Sequence, residues 1–359
     1  MKTTKADQQH SQLFPTGKWL AWFAIINMLI TWALIVLGST VRVTNSGMGC
    51  PSWPLCYGQV GYVDHFHAIL EQSHRYLASI ITILTFLITF LLWRMSSTRT
   101  DHVNHTDHDR TTILSQRQQA AIALKPAVVA SALIILQVIL GAVTVFTHNA
   151  PWTVALHMLT AMLFLAVMVV LAVATVVSYL PPTSLAAGST ITVLNQPRVK
   201  RLGISGWVAL SCTYVLLISG SLVVNGGAES SCPSWPLCFS SPAPSGLITL
   251  QLLHRSIVVL TTLVIGLFLV HVWRHWRTTP GSRPIAALTG LFFLIQIALG
   301  ALVALYKAPE GLADVHLAVA GVIWVGIVAL ASLGWWTASD AHSSIQDTVS
   351  QYEPDNSLI

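Results

Sequence analysis

Residues 19–41 read WLAWFAIINMLITWALIVLGSTV, and this stretch carries no charged side chain. As an α-helix it would be about 34 Å long, enough to cross the hydrocarbon core of a bilayer, which is about 30 Å thick. The stretch is too long for a cleavable signal peptide, and no small-residue cleavage site follows it. It therefore predicts a transmembrane helix.

Seven further apolar stretches follow, so the sequence predicts an all-α polytopic membrane protein with eight transmembrane helices. The predicted spans are 19–41, 69–93, 122–146, 152–179, 202–224, 249–273, 284–306 and 312–338. Of the 359 residues, 54% are hydrophobic and only 9% are charged, whereas a soluble domain carries about 25% charged residues. This composition excludes a soluble enzyme, a nucleic-acid-binding protein and a disordered protein.

Lysine and arginine are distributed unevenly between the predicted loops. Fourteen of the 18 lie in the N-terminal tail or follow the second, fourth and sixth spans, whereas the opposite side holds only Arg42 and Lys307. The positive-inside rule then places the N-terminal tail (1–18) and the C-terminal tail (339–359) in the cytoplasm. This bias, together with the lack of a transit peptide, predicts a multi-pass protein of a bacterial inner membrane.

The string Cys-Pro-Ser-Trp-Pro-Leu-Cys occurs twice, at 50–56 and 232–238, and a Gly-Ser pair precedes both copies at the same distance. The repeat predicts two four-helix bundles, an N-terminal half at 19–180 and a C-terminal half at 202–338, joined by a cytoplasmic linker at 181–201. Because each half has an even number of helices, the two are parallel repeats with the same orientation in the membrane.

Four histidines lie within the spans, about 6–9 Å from the predicted outer surface. Histidine inside a bilayer is rare and usually functional. The four occupy matched positions in the two halves: His74, His157, His254 and His316. Two imidazoles at one depth could bind a haem iron from both sides, a geometry that suits electron transfer. The pattern favours iron-bound haem in each half over interhelical hydrogen bonds.

An arginine directly follows one histidine in each half, Arg75 in the first and Arg255 in the second. A guanidinium inside a bilayer needs an anionic partner. Haem propionates would satisfy this need, because arginine binds carboxylates through two parallel hydrogen bonds. The alternative is that both side chains extend to the outer interface.

Glu71 precedes His74 by three positions and shares its helix face, but the second half has Gln251 at the matching position. A carboxylate can accept a proton or stabilise a nearby cation, and an amide can do neither. This difference predicts that the first half carries out chemistry and the second holds a cofactor. The alternative is a carboxylate favoured by the positive end of its helix.

Each repeated string contains a Cys-x5-Cys pair in a predicted outer loop, where disulfides form and persist. We therefore expect disulfides between Cys50 and Cys56 and between Cys232 and Cys238. Each cysteine pair could have a purely structural role, or it could act in redox chemistry or haem transfer. The second is more plausible for the first pair, because Glu71 lies in that half.

Three histidines with a spacing of three residues occupy the loop after the second span: His102, His105 and His108. Such a tract could bind a metal ion. The loop is polar throughout, however, and this favours a solvated cytoplasmic segment.

Taken together, eight spans in two halves, a histidine pair in each half, the Glu-x-x-His-Arg motif at 71–75 and paired outer-loop cysteines resemble the haem A synthase family. The resemblance covers about 19–338. It implies an oxidoreductase that acts on a CH group. The substrate would be haem O, whose C8 methyl becomes a formyl group with oxygen from water. The product, haem A, would serve assembly of cytochrome c oxidase.

The resemblance also implies a role for each matched residue. Glu71 would be the catalytic carboxylate, Cys50 and Cys56 would assist the reaction or substrate delivery, and Cys232 and Cys238 would stabilise the second half. His74 and His157 would bind the iron of the substrate haem. His254 and His316 would bind the iron of a haem b cofactor. Implied partners are membrane lipid, an electron acceptor, the farnesyltransferase that makes haem O, and further copies of the chain.

Three other functions share part of this pattern. A di-haem, quinol-linked cytochrome b would use the four histidines but would not alter a haem substituent. A membrane thiol–disulfide oxidoreductase would use the two cysteine pairs and need no haem. A transporter built from parallel repeats would not need four histidines at one depth.

Overall fold

A computed structural model describes most of the chain. The described residues are 17–61, 63–97, 107–180, 197–239, 241–276, 279 and 281–351, with side chains described except at 107–116, 197–202 and 336–351. Several predicted features lie outside these residues: most of the N-terminal tail, His102, His105, the side chain of His108, most of the linker at 181–201 and the end of the C-terminal tail.

Eight long helices account for nearly all of the described residues, which contain no β-strand. They are α1 (Gly17–Val43), α2 (Phe66–Ser97), α3 (Asp107–Phe146), α4 (Pro151–Tyr179), α5 (Pro197–Asn225), α6 (Ser245–His275), α7 (Ser282–Leu305) and α8 (Glu310–Gln351). All eight are long and apolar enough to cross a membrane. The predicted all-α transmembrane fold is therefore confirmed, with each predicted span inside one helix to within a residue.

Two helices extend well beyond their predicted spans. Helix α3 begins at Asp107 rather than at residue 122, and α8 continues to Gln351 rather than ending at residue 338. The apolar pattern marks only the section that the bilayer surrounds, whereas backbone hydrogen bonding can continue through polar sequence. The predicted polar loop before α3 and the C-terminal tail are thus partly helical.

The helices pack in two groups of four. Helix α1 contacts α2 and α4, and α3 also contacts both, so α1–α4 form a closed bundle; α5–α8 pack in the same way. The groups meet where α1 and α4 contact α8, and where α4 contacts α5. This surface between the groups is called the seam below. The predicted division into an N-terminal and a C-terminal half, and their relation as repeats, stay predictions.

Helices α4 and α8 form the centre of the molecule. In their most apolar sections, 50% of α4 and 44% of α8 is buried within the protein, against 17–28% for the other six helices. The peripheral helices instead expose large apolar side chains, such as Val259, Leu294 and Ile83. Such surfaces are unusual on soluble monomers and suit contact with lipid tails.

Three hydrogen bonds cross the seam in its apolar interior. Trp32 donates to the carbonyl of Ala318 at 3.1 Å, which joins α1 to α8. Trp324 on α8 donates to the carbonyl of Met162 on α4 at 2.8 Å. Tyr214 on α5 donates to the carbonyl of Leu159 on α4 at 3.2 Å. All three acceptors are backbone carbonyls, so the interior of the seam contains polar links but no charged ones.

Candidate functional site

The two histidines of each half lie on diagonally opposite helices. His74 is on α2 and His157 on α4, and their side chains are close enough to interact electrostatically. His254 on α6 and His316 on α8 are related in the same way. In the described part of the chain, α2 does not contact α4 and α6 does not contact α8. Each pair therefore links two helices of its bundle that are not packed against each other, and its two imidazoles could together hold one metal ion.

A glycine on the preceding helix contacts each of the four imidazole rings. We call these four glycines the seat glycines, because a Cβ atom at each would lie close to Cε1 of its histidine. The pairs and the Cβ distances are Gly38 with His74 (2.9 Å), Gly141 with His157 (3.6 Å), Gly220 with His254 (3.3 Å) and Gly300 with His316 (3.1 Å). The glycines share the sequence offsets of the repeat, but the sequence alone did not assign them this contact.

The imidazole of His254 is held by a side chain in the second half. The hydroxyl of Ser219 lies 2.8 Å from the carbonyl of Leu216 and 2.8 Å from Nδ1 of His254, and its one proton can serve either contact. With that proton on the Leu216 carbonyl, the Nδ1–H group of His254 donates to Ser219. This tautomer leaves the Nε2 lone pair free to bind a metal ion.

The matching contact is missing in the first half, where Leu37 occupies the position of Ser219. Nδ1 of His74 makes no hydrogen bond of ordinary geometry with the described residues. The carbonyl of Leu34 is close enough to interact with this imidazole. The two halves therefore fix the orientation of the α2 and α6 histidines differently.

Glutamines orient the other two histidines. Gln296 lies 3.2 Å from Nε2 of His316. Gln137 can hydrogen-bond to Nδ1 of His157 at 3.1 Å. Each glutamine is one turn before a seat glycine on the same helix, so α3 and α7 each provide both a seat and a polar contact.

Glu71 is 5% exposed and connects α2 to the loop between α1 and α2. One carboxylate oxygen accepts the backbone N–H of Cys50 at 2.8 Å, and the other accepts Arg75 at 2.5 Å. Gln251 in the second half instead donates to the carbonyls of Ala228 and Glu229, at 2.8 and 3.0 Å. Matched positions thus present an acceptor in one half and a donor in the other, and Arg75 adds a positive charge beside the acceptor.

Arg75 and Arg255 hold the outer loops on their helices. The backbone carbonyls that accept their N–H groups are those of Cys50, Ser52 and Pro54 for Arg75, and those of Cys232, Ser234 and Pro236 for Arg255. Together with Glu71, these contacts use four of the five N–H donors of Arg75. The predicted contact with haem propionates stays a prediction, and only Nε of Arg75 is free of these contacts.

Both predicted disulfides are present, Cys50–Cys56 and Cys232–Cys238. The N–H of Cys50 contacts Glu71, and its carbonyl contacts Arg75. The first disulfide is therefore fixed directly to the carboxylate, while its counterpart has only the arginine contact. Trp53 and Leu55 within the first disulfide loop are partly exposed, as a loop at the membrane interface would be.

The chain resembles known proteins over most of its length. The sequence model of the COX15-CtaA family, described as cytochrome oxidase assembly protein, matches residues 21–65 and 61–328. Heme A synthase of Geobacillus thermodenitrificans is 29% identical over 295 residues, which is 79% of this chain and 81% of that protein. Heme A synthase of Shouchella clausii is 28% identical over 307 residues, 83% of this chain and 91% of that protein.

Proposed function

Because the chain belongs to the COX15-CtaA family of cytochrome oxidase assembly proteins, we propose that it is a membrane-embedded haem A synthase that converts haem O to haem A. The observation that carries the proposal is the pair of diagonal histidine sites, of which only the first has a glutamate one turn before the histidine of its second helix, where the other has Gln251. The similarity to proteins named Heme A synthase supports it. The predicted di-haem cytochrome and thiol oxidoreductase gain no such support.

The residues of both sites fit haem. Each pair offers two imidazoles on opposite helices of one bundle. When Ser219 donates to the Leu216 carbonyl, Nδ1–H of His254 donates to Ser219, and Nε2 of His254 can then bind a metal ion. We assign haem b, as cofactor, to His254 and His316, and haem O, as substrate, to His74 and His157. Haem iron held by two imidazoles supplies one-electron redox chemistry.

Glu71 is the proposed catalytic carboxylate of the first half. Oxidation of the C8 methyl to a formyl group takes one oxygen from water and releases four protons and four electrons. The electrons leave singly to a one-electron acceptor. The carboxylate near His74 can accept a proton or stabilise positive charge at the reacting carbon. Gln251 can do neither, which supports a non-catalytic second half.

The outer loops support this arrangement. Through its N–H contact with Glu71, the Cys50–Cys56 disulfide holds the carboxylate in place, and Cys232–Cys238 stabilises the loop of the cofactor half. Arg75 and Arg255 hold both loops, and Nε of Arg75 can still donate to a propionate. With cytoplasmic termini in a bacterial inner membrane, the reacting edge would face the outer, water-accessible side.

Haem extraction tests the proposed function directly. The protein is expressed in cells that make haem O but lack haem A, and the extracted haems are separated and identified by mass spectrometry. We expect haem A, and its hydroxylated intermediate, only in cells with the intact protein. Retained haem b without haem A or the intermediate would contradict the proposal and favour the di-haem cytochrome.

The seat glycines predict a selective effect of one added methyl group. Gly38→Ala should displace the His74 imidazole, because its Cβ would lie 2.9 Å from the ring. Alanine is otherwise favourable in a helix, so we expect normal haem b but about tenfold less bound haem O and haem A. The measurement is the haem content of the purified protein.

Gly141→Ala is the matched control, since its Cβ would make an ordinary 3.6 Å contact with His157. We expect this variant to keep its haem content. If both substitutions reduce bound haem O equally, contact with the imidazole does not explain the effect.

A further inference from the structure

One hydrogen bond across the seam involves a charged group. Ser39 on α1 donates to a carboxylate oxygen of Asp314 on α8 at 2.6 Å. Arg42 lies one turn further along α1 and is attracted by both Asp314 and Glu229, a residue of the α5–α6 loop. At this end of the seam the acceptor is therefore a carboxylate, whereas the three bonds deeper in the seam all have backbone carbonyls as acceptors.

The three charged residues near this bond, Arg42, Glu229 and Asp314, have uncharged residues at the matched positions of the other half. At the offsets of the repeat, Arg42 corresponds to Val224, Glu229 to Gly47 and Asp314 to Ala155. Ser39 does have a counterpart in Ser221. The hydroxyl of Ser221, however, accepts from Asn225 on its own helix at 3.2 Å. None of these three charged residues has a charged counterpart at the matched position, so the Ser39–Asp314 bond has no equivalent built from the matched residues.

The Ser39–Asp314 bond lies between the two histidine sites. Ser39 directly follows Gly38, the seat glycine of His74. Asp314 precedes His316 by two residues on α8. A short path therefore runs from the His74 ring through Gly38 and Ser39 to Asp314 and His316. The next bond along the same two helices, between Trp32 and Ala318, lies about one to two turns deeper.

We propose that Asp314 is a positioning residue, which through Ser39 and Arg42 fixes His316 relative to His74 and so sets the spacing and orientation of the two haems. This inference rests on the proposed function, in which both histidine pairs bind haem. Precise placement matters because a shift of about 1 Å in a reacting pair can cost about a hundredfold in rate.

The first test removes each partner of the bond separately. Asp314→Ala introduces the residue found at the matched position of the first half, and Ser39→Ala removes the donor. We expect each to lower haem A formed per haem b about tenfold, the effect of one hydrogen bond to a charged group. Haem b content should stay unchanged. Asp314→Asn keeps a carbonyl acceptor and should recover most of the activity, and Ser221→Ala should behave as the unsubstituted protein.

A spectroscopic readout separates positioning from general stability. The electron paramagnetic resonance signal of a low-spin haem depends on the relative orientation of its two imidazole planes. We expect Asp314→Ala to shift the signal of the haem at His254 and His316, and Asp314→Asn to restore it. An unshifted signal together with unchanged haem A formation in Asp314→Ala would overturn the inference.

An exchange of the two side chains tests the bond itself, even if Asp314→Ala fails to accumulate. Ser39→Asp alone would place two carboxylates against each other, at positions 39 and 314, and should be the least active variant. When Ser39→Asp is combined with Asp314→Ser, α8 carries the hydroxyl donor and α1 carries the carboxylate acceptor. The bond can form again, and activity should recover at least several-fold. A combined variant no better than the single one would contradict the inference. Failure of the proposed function is distinguishable, because then even the unsubstituted protein makes no haem A.

Discussion

Replacing Glu71 by glutamine should abolish the conversion of haem O to haem A and leave both haems bound. The amide oxygen can still accept a hydrogen bond from Cys50 or from Arg75, though not from both, and the contacts of Arg75 with the loop carbonyls do not involve residue 71. What is lost is the negative charge and the ability to accept a proton. Groups with that role contribute about a hundredfold to ten-thousandfold to a rate.

The measurement is haem A formed per bound haem O, and we expect a decrease of at least about a hundredfold. Gln251→Glu is the matched control, since it introduces a carboxylate at the corresponding position of the other half. It should neither rescue Glu71→Gln nor create a second reactive site, because we propose that the haem of that half is a cofactor. Loss of all bound haem from Glu71→Gln would instead mark Glu71 as a structural residue that holds the outer loop.

Replacing His254 by alanine should remove haem b and with it all haem A formation. The change deletes one of two proposed axial ligands and the partner of Ser219. A haem with one remaining protein ligand would be bound far more weakly. The absorption spectrum of the purified protein, taken before and after reduction, reports haem b directly.

His157→Ala provides the complementary result for the other half. It should leave the haem b spectrum intact and deplete haem O, because His157 lies on the first bundle with His74. The two variants together assign each haem to a half. An unchanged haem b spectrum in His254→Ala would overturn the cofactor assignment, whatever the effect on haem A.

The transmembrane fold could be predicted from sequence because each bilayer span carries its own signal. The stretch at 19–41 lies within α1, and hydropathy identified the other seven spans equally well. The positions at which α3 begins and α8 ends could not be predicted in this way, since polar residues there continue a helix without any apolar pattern. The disulfides followed from short spacing and from the side of the membrane on which the loops lie.

The candidate site was only partly predictable. The repeat identified the four histidines and the contrast between Glu71 and Gln251, because both appear as matched positions in the chain. Contacts between distant segments left no such signal. Arg75 binds loop carbonyls that the sequence offered no reason to choose over a propionate. Ser39 meets Asp314 across 275 residues of chain, and only the packing of α1 against α8 brings them together.

The serine beside His254 has a consequence for how long each haem stays. Outer-shell hydrogen bonds to a ligating imidazole typically change metal affinity by ten- to a hundredfold. His254 has such a side-chain contact in Ser219, whereas His74 has Leu37 at the matched position and only the nearby backbone carbonyl of Leu34. A cofactor can remain for the lifetime of the protein, but a substrate must arrive and a product must depart in every cycle. A difference of one hydroxyl group would thus give the second half a long residence time and allow the first half rapid exchange.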